Sequence, residues 1–347
     1  MVGGAGVSEE MRYGLSPGAS GPVMTPMPVT TGGPPQRLVT RVVLEYLITL
    51  TVAAAKAHDG DFKAMVVFMA IQHANVEYME SDPARAASYF GGYPSDDLRR
   101  PITAHALSQS ASLPPETCRR YVQRLVEQGN CRRVDGRGLI VPSEVMAREP
   151  FAASIDATYD AFVTLLKGLH GLGFDALAAA GARRAPAEAA VRPAPESLKY
   201  ALSAVMTGYV MRVILDGVGI HGNDFVRGLI FITVMAMNVE RITHDPSDAW
   251  RFAEAHTTPP DHMRAPASIR AVSDRLGLPY ETTRQHLIRM VNLGRAQRVD
   301  GGFIIPGPVN QDPANLRSGL NIYLWLMRAI GQLERLGFDF DAVVTAG

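Results

Sequence analysis

The sequence is short of cysteine, of net charge and of uninterrupted apolar length. Cys118 and Cys131 are its two cysteines, and they lack metal-ligand spacing. A disulfide framework is therefore not expected, and a reducing compartment is. Lysine plus arginine and aspartate plus glutamate both number 34, so the formal net charge is zero. Bulk charge cannot drive nucleic-acid binding, and any such role needs a local basic patch. The apolar stretches are interrupted by Glu45, Arg212, Asp216 and Arg227. None is expected to give a clean membrane span of about 20 residues. No basic start followed by an apolar core marks a signal peptide. These absences predict a cytoplasmic protein without membrane contact. No Ser-His-Asp set, phosphate loop or pair of catalytic carboxylates stands out, and the Gly-rich N-terminal region lacks the strand–loop–helix setting of a phosphate site. Neither an enzyme nor a cofactor is expected.

What the sequence does have is a repeat. Leu113 to Pro142, LPPETCRRYVQRLVEQGNCRRVDGRGLIVP, recurs as Leu278 to Pro306, LPYETTRQHLIRMVNLGRAQRVDGGFIIP. The rest follows in register. His221 to Phe225 matches His58 to Phe62, and Asn238 and Glu240 match Asn75 and Glu77. Pro266 matches Pro101, and Tyr323 and Leu336-Gly337-Phe338 match Tyr159 and Leu172-Gly173-Phe174. This is a tandem duplication of a unit of about 145 residues, an ordinary domain size. The expected organisation is a disordered tail over 1–35, repeats over 36–180 and 197–347, and a linker of Ala, Pro and charge over 181–196.

The duplicated stretch reads physically. Pro115 suits a first helical turn, and Glu116 beside it suits the positive end of the dipole. Val122, Leu125 and Val126 recur at helical spacing, and Gly129 follows as a cap. Arg132 to Val134 and Leu139 to Val141 flank a Gly-containing turn and read as a hairpin. Upstream, Ile102 to Ser110 reads as another short helix. The order is helix, turn, helix, hairpin.

That order, with Leu-Pro-x-Glu-Thr-x-Arg, Leu-Val-x-x-Gly and a basic hairpin, resembles the winged helix-turn-helix of GntR-, IclR- and MarR-type bacterial transcription regulators. The resemblance covers roughly 100–142 and 265–306. Those families usually carry Ser where Pro114 and Pro279 stand, so the hydroxyl cap is replaced. The resemblance implies a mainly α fold with two tandem winged-helix domains flanked by apolar helices, each with a short hairpin wing. It implies that the helix entered by Thr117, or by Thr282, reads double-stranded DNA.

The charges agree with that implication. From Leu113 to Pro142 six arginines stand against three acids, a net of +3; from Leu278 to Pro306 four stand against two, a net of +2. Arginine pairs with guanine edges or phosphates in a forked geometry. The candidate DNA-binding residues are Thr117, Arg119, Arg120, Gln123 and Arg124 on the first helix, with Arg132, Arg133 and Arg137 on its wing. In the second repeat they are Thr282, Arg284, Gln285 and Arg289, with Arg298 on the wing. Two other readings stay open: a winged-helix module that docks protein without specific DNA binding, and a regulator that senses an effector among helices rich in Met206, Met211, Met235 and Met237. His58, His221, Asp61 and Asp224 read as turn and cap residues rather than metal ligands. Asn75 and Asn238 read as backbone partners more readily than as pocket residues. The apolar helices are expected to pack the repeats about a pseudo-twofold axis, or to pair between chains in a homodimer.

Overall fold

The computed structural model describes residues 33–80, 89, 92–134, 136, 138–181 and 198–345. Nearly all of the tail and of the linker, together with Arg137, lie outside the described residues. The protein is mainly helical, with two small two-stranded antiparallel hairpins.

In the first repeat, α1 (Gln36–Lys56) leads to α2 (Phe62–Glu80). Asp61 starts α2 by accepting the Ala64 N–H at 3.1 Å, as its position in the turn predicts. A compact unit follows: α3 (Ala104–Ser110), α4 (Pro115–Glu127), β1 (Arg132–Val134), β2 (Gly138–Ile140) and the short α5 (Ser143–Met146). Then come α6 (Phe151–Gly171) and α7 (Ala176–Ala179). Gly173 at φ 76° ends α6, and the Phe174 N–H reaches back to the Leu169 carbonyl at 3.0 Å.

The second repeat restates this order, with one more short helix, Pro246–Arg251, among the described residues. It runs α8 (Lys199–Ile220), α9 (Phe225–His244), α10 (Pro246–Arg251), α11 (Ile269–Leu276), α12 (Tyr280–Asn292), β3 (Gln297–Val299), β4 (Gly302–Ile304), α13 (Gly307–Asn310), α14 (Pro313–Arg335) and α15 (Phe340–Thr345).

The first short helix starts later than the sequence suggests. Thr103 caps α3 by accepting the Ala106 N–H at 3.2 Å. Ile102 instead pairs with Leu139 as a single antiparallel bridge, and Ala267 pairs with Phe303 in the same way. Each hairpin thus gains a one-residue third strand. The close approach explains Gly138 and Gly302. A side chain at either position would run into the carbonyl of Ile102 or Ala267, and both glycines have positive φ.

The repeats are interleaved. α1 packs most extensively on α6 of its own repeat and on α9 of the other, and only slightly on α2. α8 does the converse, packing on α14 and on α2 of the first repeat. One hydrophobic cluster consequently runs through both repeats from Leu38 to Val343. Both α1 and α8 are long and apolar enough to cross a membrane, contrary to the expectation from their charged interruptions. Here 72% and 61% of their most apolar windows are buried inside the protein, as suits core helices apolar on every side.

Candidate nucleic-acid interface

Each compact unit is fastened to its repeat by one asparagine. Asn75, fully buried on α2, donates to the carbonyls of Arg100 (2.8 Å) and Leu139 (3.1 Å) and accepts the Val141 N–H at 2.9 Å. Asn238 on α9 repeats the arrangement with Ala265, Phe303 and Ile305 at 2.7, 3.0 and 2.8 Å. The amide holds the hairpin and the bridging strand against the helix. It is a backbone partner.

α4 sits on this frame through Cys118, Val122 and Leu125, and α12 through Thr283, Leu287 and Met290, all buried. Neither helix has a side-chain cap, since Pro114 and Pro279 hold the capping positions. Thr117 and Thr282 are half-buried in the first turn.

The candidate cations divide into tied and untied. Arg119 grips Glu116 with two bonds of 2.9 and 2.7 Å, and Arg284 grips Glu281 with bonds of 2.8 and 2.7 Å. The Arg284 bonds, with one from Gln285 at 3.1 Å, push the Glu281 carboxyl down to about 2. Arg119 likewise holds Glu116 below the usual carboxylate range. All four groups are exposed to solvent, so these pairs are easily exchanged for another anion. Gln123 donates to Glu127 at 2.8 Å. Arg120 lies beside the Tyr121 ring at 5.5 Å.

Two arginines are drawn back into the protein. Arg124 reaches Asp61 at 2.8 Å, tying α4 to the start of α2. Arg132 reaches Asp96 at 2.7 Å. Burial raises the Asp96 carboxyl, but bonds from Ser143 and Arg132 outweigh that and hold it low. Arg289 is the counterpart of Arg124, yet it is exposed and forms no ion pair with a described residue. Arg227 and His286 take its place beside Asp224, at 2.9 and 3.7 Å. Arg133 and Arg298, matched on the two hairpins, are also exposed and form no ion pair with a described residue.

The two outer helix faces differ. In the first repeat the line Pro115, Arg119, Gln123 carries no large apolar side chain. In the second the line is Tyr280, Arg284, Ile288, with Tyr280 49% and Ile288 41% exposed. Charge alone does not point to this apolar pair, although its spacing brackets Arg284 at four residues on either side.

No family model matches the chain. Searches of curated proteins and of solved structures likewise find no match. Function is therefore read from the chain's own geometry.

The remaining candidates are structural. His58 packs on Phe68 and Phe151 with ring centroids 4.9 and 5.5 Å away, and His221 packs on Phe231 at 4.6 Å. Burial lowers both rings to about 4. Cys118 and Cys131 are buried free thiols, and burial raises both, Cys131 to about 12. A thiol held protonated is a poor nucleophile. Met206 and Met211 belong to the core, whereas Met235 borders a cavity.

Proposed function

We propose that the chain is a DNA-binding transcriptional regulator carrying two winged helix-turn-helix units. One observation carries the reading. In both repeats an exposed arginine-bearing helix face adjoins a hairpin with an exposed arginine that no described residue pairs, at matched positions. α4 and α12 are the recognition helices, and the hairpins are the wings. Arg119, Arg120 and Gln123, or Arg284, Gln285 and Arg289, face base edges and phosphates. Arg133 and Arg298 lie along the backbone. Arg124 and Arg132 have a second task, positioning the helix and wing through Asp61 and Asp96. Glu116 and Glu281 hold the reading arginines in extended, forked conformations until phosphate or guanine replaces them.

The test is duplex binding as a function of salt, with sequences selected from a random pool. Specific binding whose affinity falls steeply with salt supports the reading. Salt-insensitive or absent binding overturns it.

The second reading is protein docking, and Tyr280 and Ile288 favour it for the second repeat. Exposed aromatic and branched side chains beside an arginine suit a protein partner. A Tyr280→Ala, Ile288→Ala variant that keeps full duplex affinity and loses a partner supports docking. One that loses duplex affinity places both residues on DNA.

A further inference from the structure

A cavity of about 160 Å³ lies between α1, α8, α9 and α14. Its walls are apolar, among them Leu44, Leu47, Val213, Ile214, Met235 and Ile322. The duplication supplies an internal comparison. In register, Gly228 stands where the first repeat has Met65, Gly319 where it has Ile155, and Asn315 where it has Phe151. Met65, Ile155 and Phe151 are all buried in the core, with Phe151 stacked on Phe68 at 4.8 Å. At Gly319 and Asn315 the second repeat is hollowed where the first is filled, whereas at Gly228 the His221 ring lies 3.2 Å from where a Cβ would stand. A cavity and glycines inside helices both cost stability, so the difference calls for a use.

The polar end of the cavity points to that use. Arg37, Arg41 and Arg264 all border it. Arg37 donates to the carbonyls of Ala255 and Asn310 at 2.6 and 3.0 Å. Arg264 pairs with Asp261 at 3.1 Å and donates to the Pro259 carbonyl at 3.0 Å. Arg41, 8% exposed, donates to the carbonyls of Phe252 and Ala249 at 2.7 and 2.8 Å, while its Nε is buried without a partner. Three guanidiniums thus share one carboxylate among the described residues. Capping the end of α10 accounts for the two Nη groups of Arg41. It accounts neither for the orphaned Nε nor for the gathering of cations at an apolar hollow. The counterpart helix α8, which packs on α2 and α6 of the first repeat, has Tyr200 and Ala204 at the places of Arg37 and Arg41, so the charge and the hollow occur together.

We propose that this cavity binds a small monocarboxylate with an apolar, roughly benzene-sized body, its carboxylate at Arg37 and Arg41 and its body between Leu47, Ile214, Met235 and Ile322. The size follows from comparison with an apolar cavity of about 150 Å³, which accepts benzene. Three guanidiniums at the edge of an apolar cavity, with one carboxylate between them, favour an anionic head over a neutral or cationic one. The site does not depend on the DNA reading, because its test measures ligand binding alone.

The experiment titrates the full chain with benzoate, phenylacetate and hexanoate, following both heat of binding and melting temperature, with benzylamine as the cationic control. The expected result is saturable binding of at least one carboxylate, a melting temperature that rises with its concentration, and no effect of benzylamine. Gly319→Ile restores the residue of the first repeat; its Cβ meets Thr40 Oγ1 at an ordinary 3.9 Å. That variant should melt higher without ligand and no longer respond to the carboxylate. Arg37→Gln should weaken carboxylate binding at least tenfold. Absence of binding by all three carboxylates at millimolar concentration overturns the proposal. So does equal binding of benzylamine, or an unchanged response in a folded Gly319→Ile variant.

Discussion

Asn75 accepts the Val141 N–H at 2.9 Å, and that bond joins the helix α2 to the end of the first hairpin. The same side chain donates to two carbonyls, so it serves three backbone groups at once. Replacing it by Ala leaves the buried Val141 N–H without its partner, while the Leu139 carbonyl keeps the Ile102 N–H. An unsatisfied buried polar group costs about 1–3 kcal/mol. Asn75→Ala and Asn238→Ala should each lower unfolding stability by about 1–3 kcal/mol, read from urea denaturation. A drop under about 1 kcal/mol would mean that the hairpin reorganises and finds other donors.

The turns and caps around this frame are legible in the sequence because they are local. Asp61, Gly129 and Gly173 signal with their own chemistry, whatever they later touch. Asn75 is half legible: its polar group on an apolar helix asks for a partner, but only the folded chain brings Val141 to it. Ile102 reads as helical in the sequence for the converse reason. Its bridge to Leu139 is a long-range pairing that no period announces. The exchange of α1 and α8 is not legible either. A helix apolar on every side announces burial but names no neighbour. On the interface, the sequence marks the arginines by type. It does not separate Arg124 and Arg132, drawn to Asp61 and Asp96, from Arg133 and Arg298, which are unpaired among the described residues.

The proposed role of Arg119 and Arg284 gives the second prediction. Arg119→Ala and Arg284→Ala should each weaken binding to a selected duplex about tenfold or more, as expected when an arginine that reads a base is removed. Glu116→Gln should act in the opposite direction on non-specific DNA, because it removes a like charge facing phosphate and frees Arg119. Fluorescence anisotropy on the selected and a scrambled duplex separates the two effects. Unchanged affinity in a folded Arg119→Ala, Arg284→Ala double variant would remove these residues from the interface.

The hairpin arginines should behave differently under the proposed function. Arg133→Ala and Arg298→Ala should shift affinity for all sequences alike and reduce the salt slope by roughly one unit for each phosphate left without its arginine. A change in sequence preference at constant salt slope would make them base readers instead.

The buried imidazoles set an acid limit. His58 and His221 titrate at about 4 in the folded protein, below the ordinary value of 6.5, because burial disfavours the charged ring. Below pH 6.5 the unfolded chain takes up protons that the folded chain refuses. Stability should therefore be lost as pH falls from about 6.5 to about 4, by at most roughly 3 kcal/mol for each ring, and these rings contribute no slope above that window. A His58→Leu, His221→Leu variant should show a flatter stability profile between pH 7 and pH 4. A profile parallel to that of the unsubstituted chain would assign the acid sensitivity to carboxylates.

Interleaving leads to the last prediction. Arg41 of α1 donates to Phe252 and Ala249 in the second repeat, and α1 itself packs on α9 there. Cutting the chain within 182–197 does not divide it into two closed cores. A fragment of residues 36–180 would expose the face of α1 that α9 covers, and a fragment of 198–345 would expose the face of α8 that α2 covers. Exposed apolar faces of this kind drive association. Each fragment alone should aggregate or self-associate, and the two co-expressed should co-purify as a one-to-one complex. The same geometry gives a long-lived homodimer a simple route, since α1 of one chain can occupy its place on the second repeat of another. Size-exclusion chromatography of the intact chain and of the co-expressed fragments distinguishes these assemblies. Two soluble, monomeric fragments with no affinity for each other would show that each repeat can close its own core, which the packing of α1 on α9 argues against.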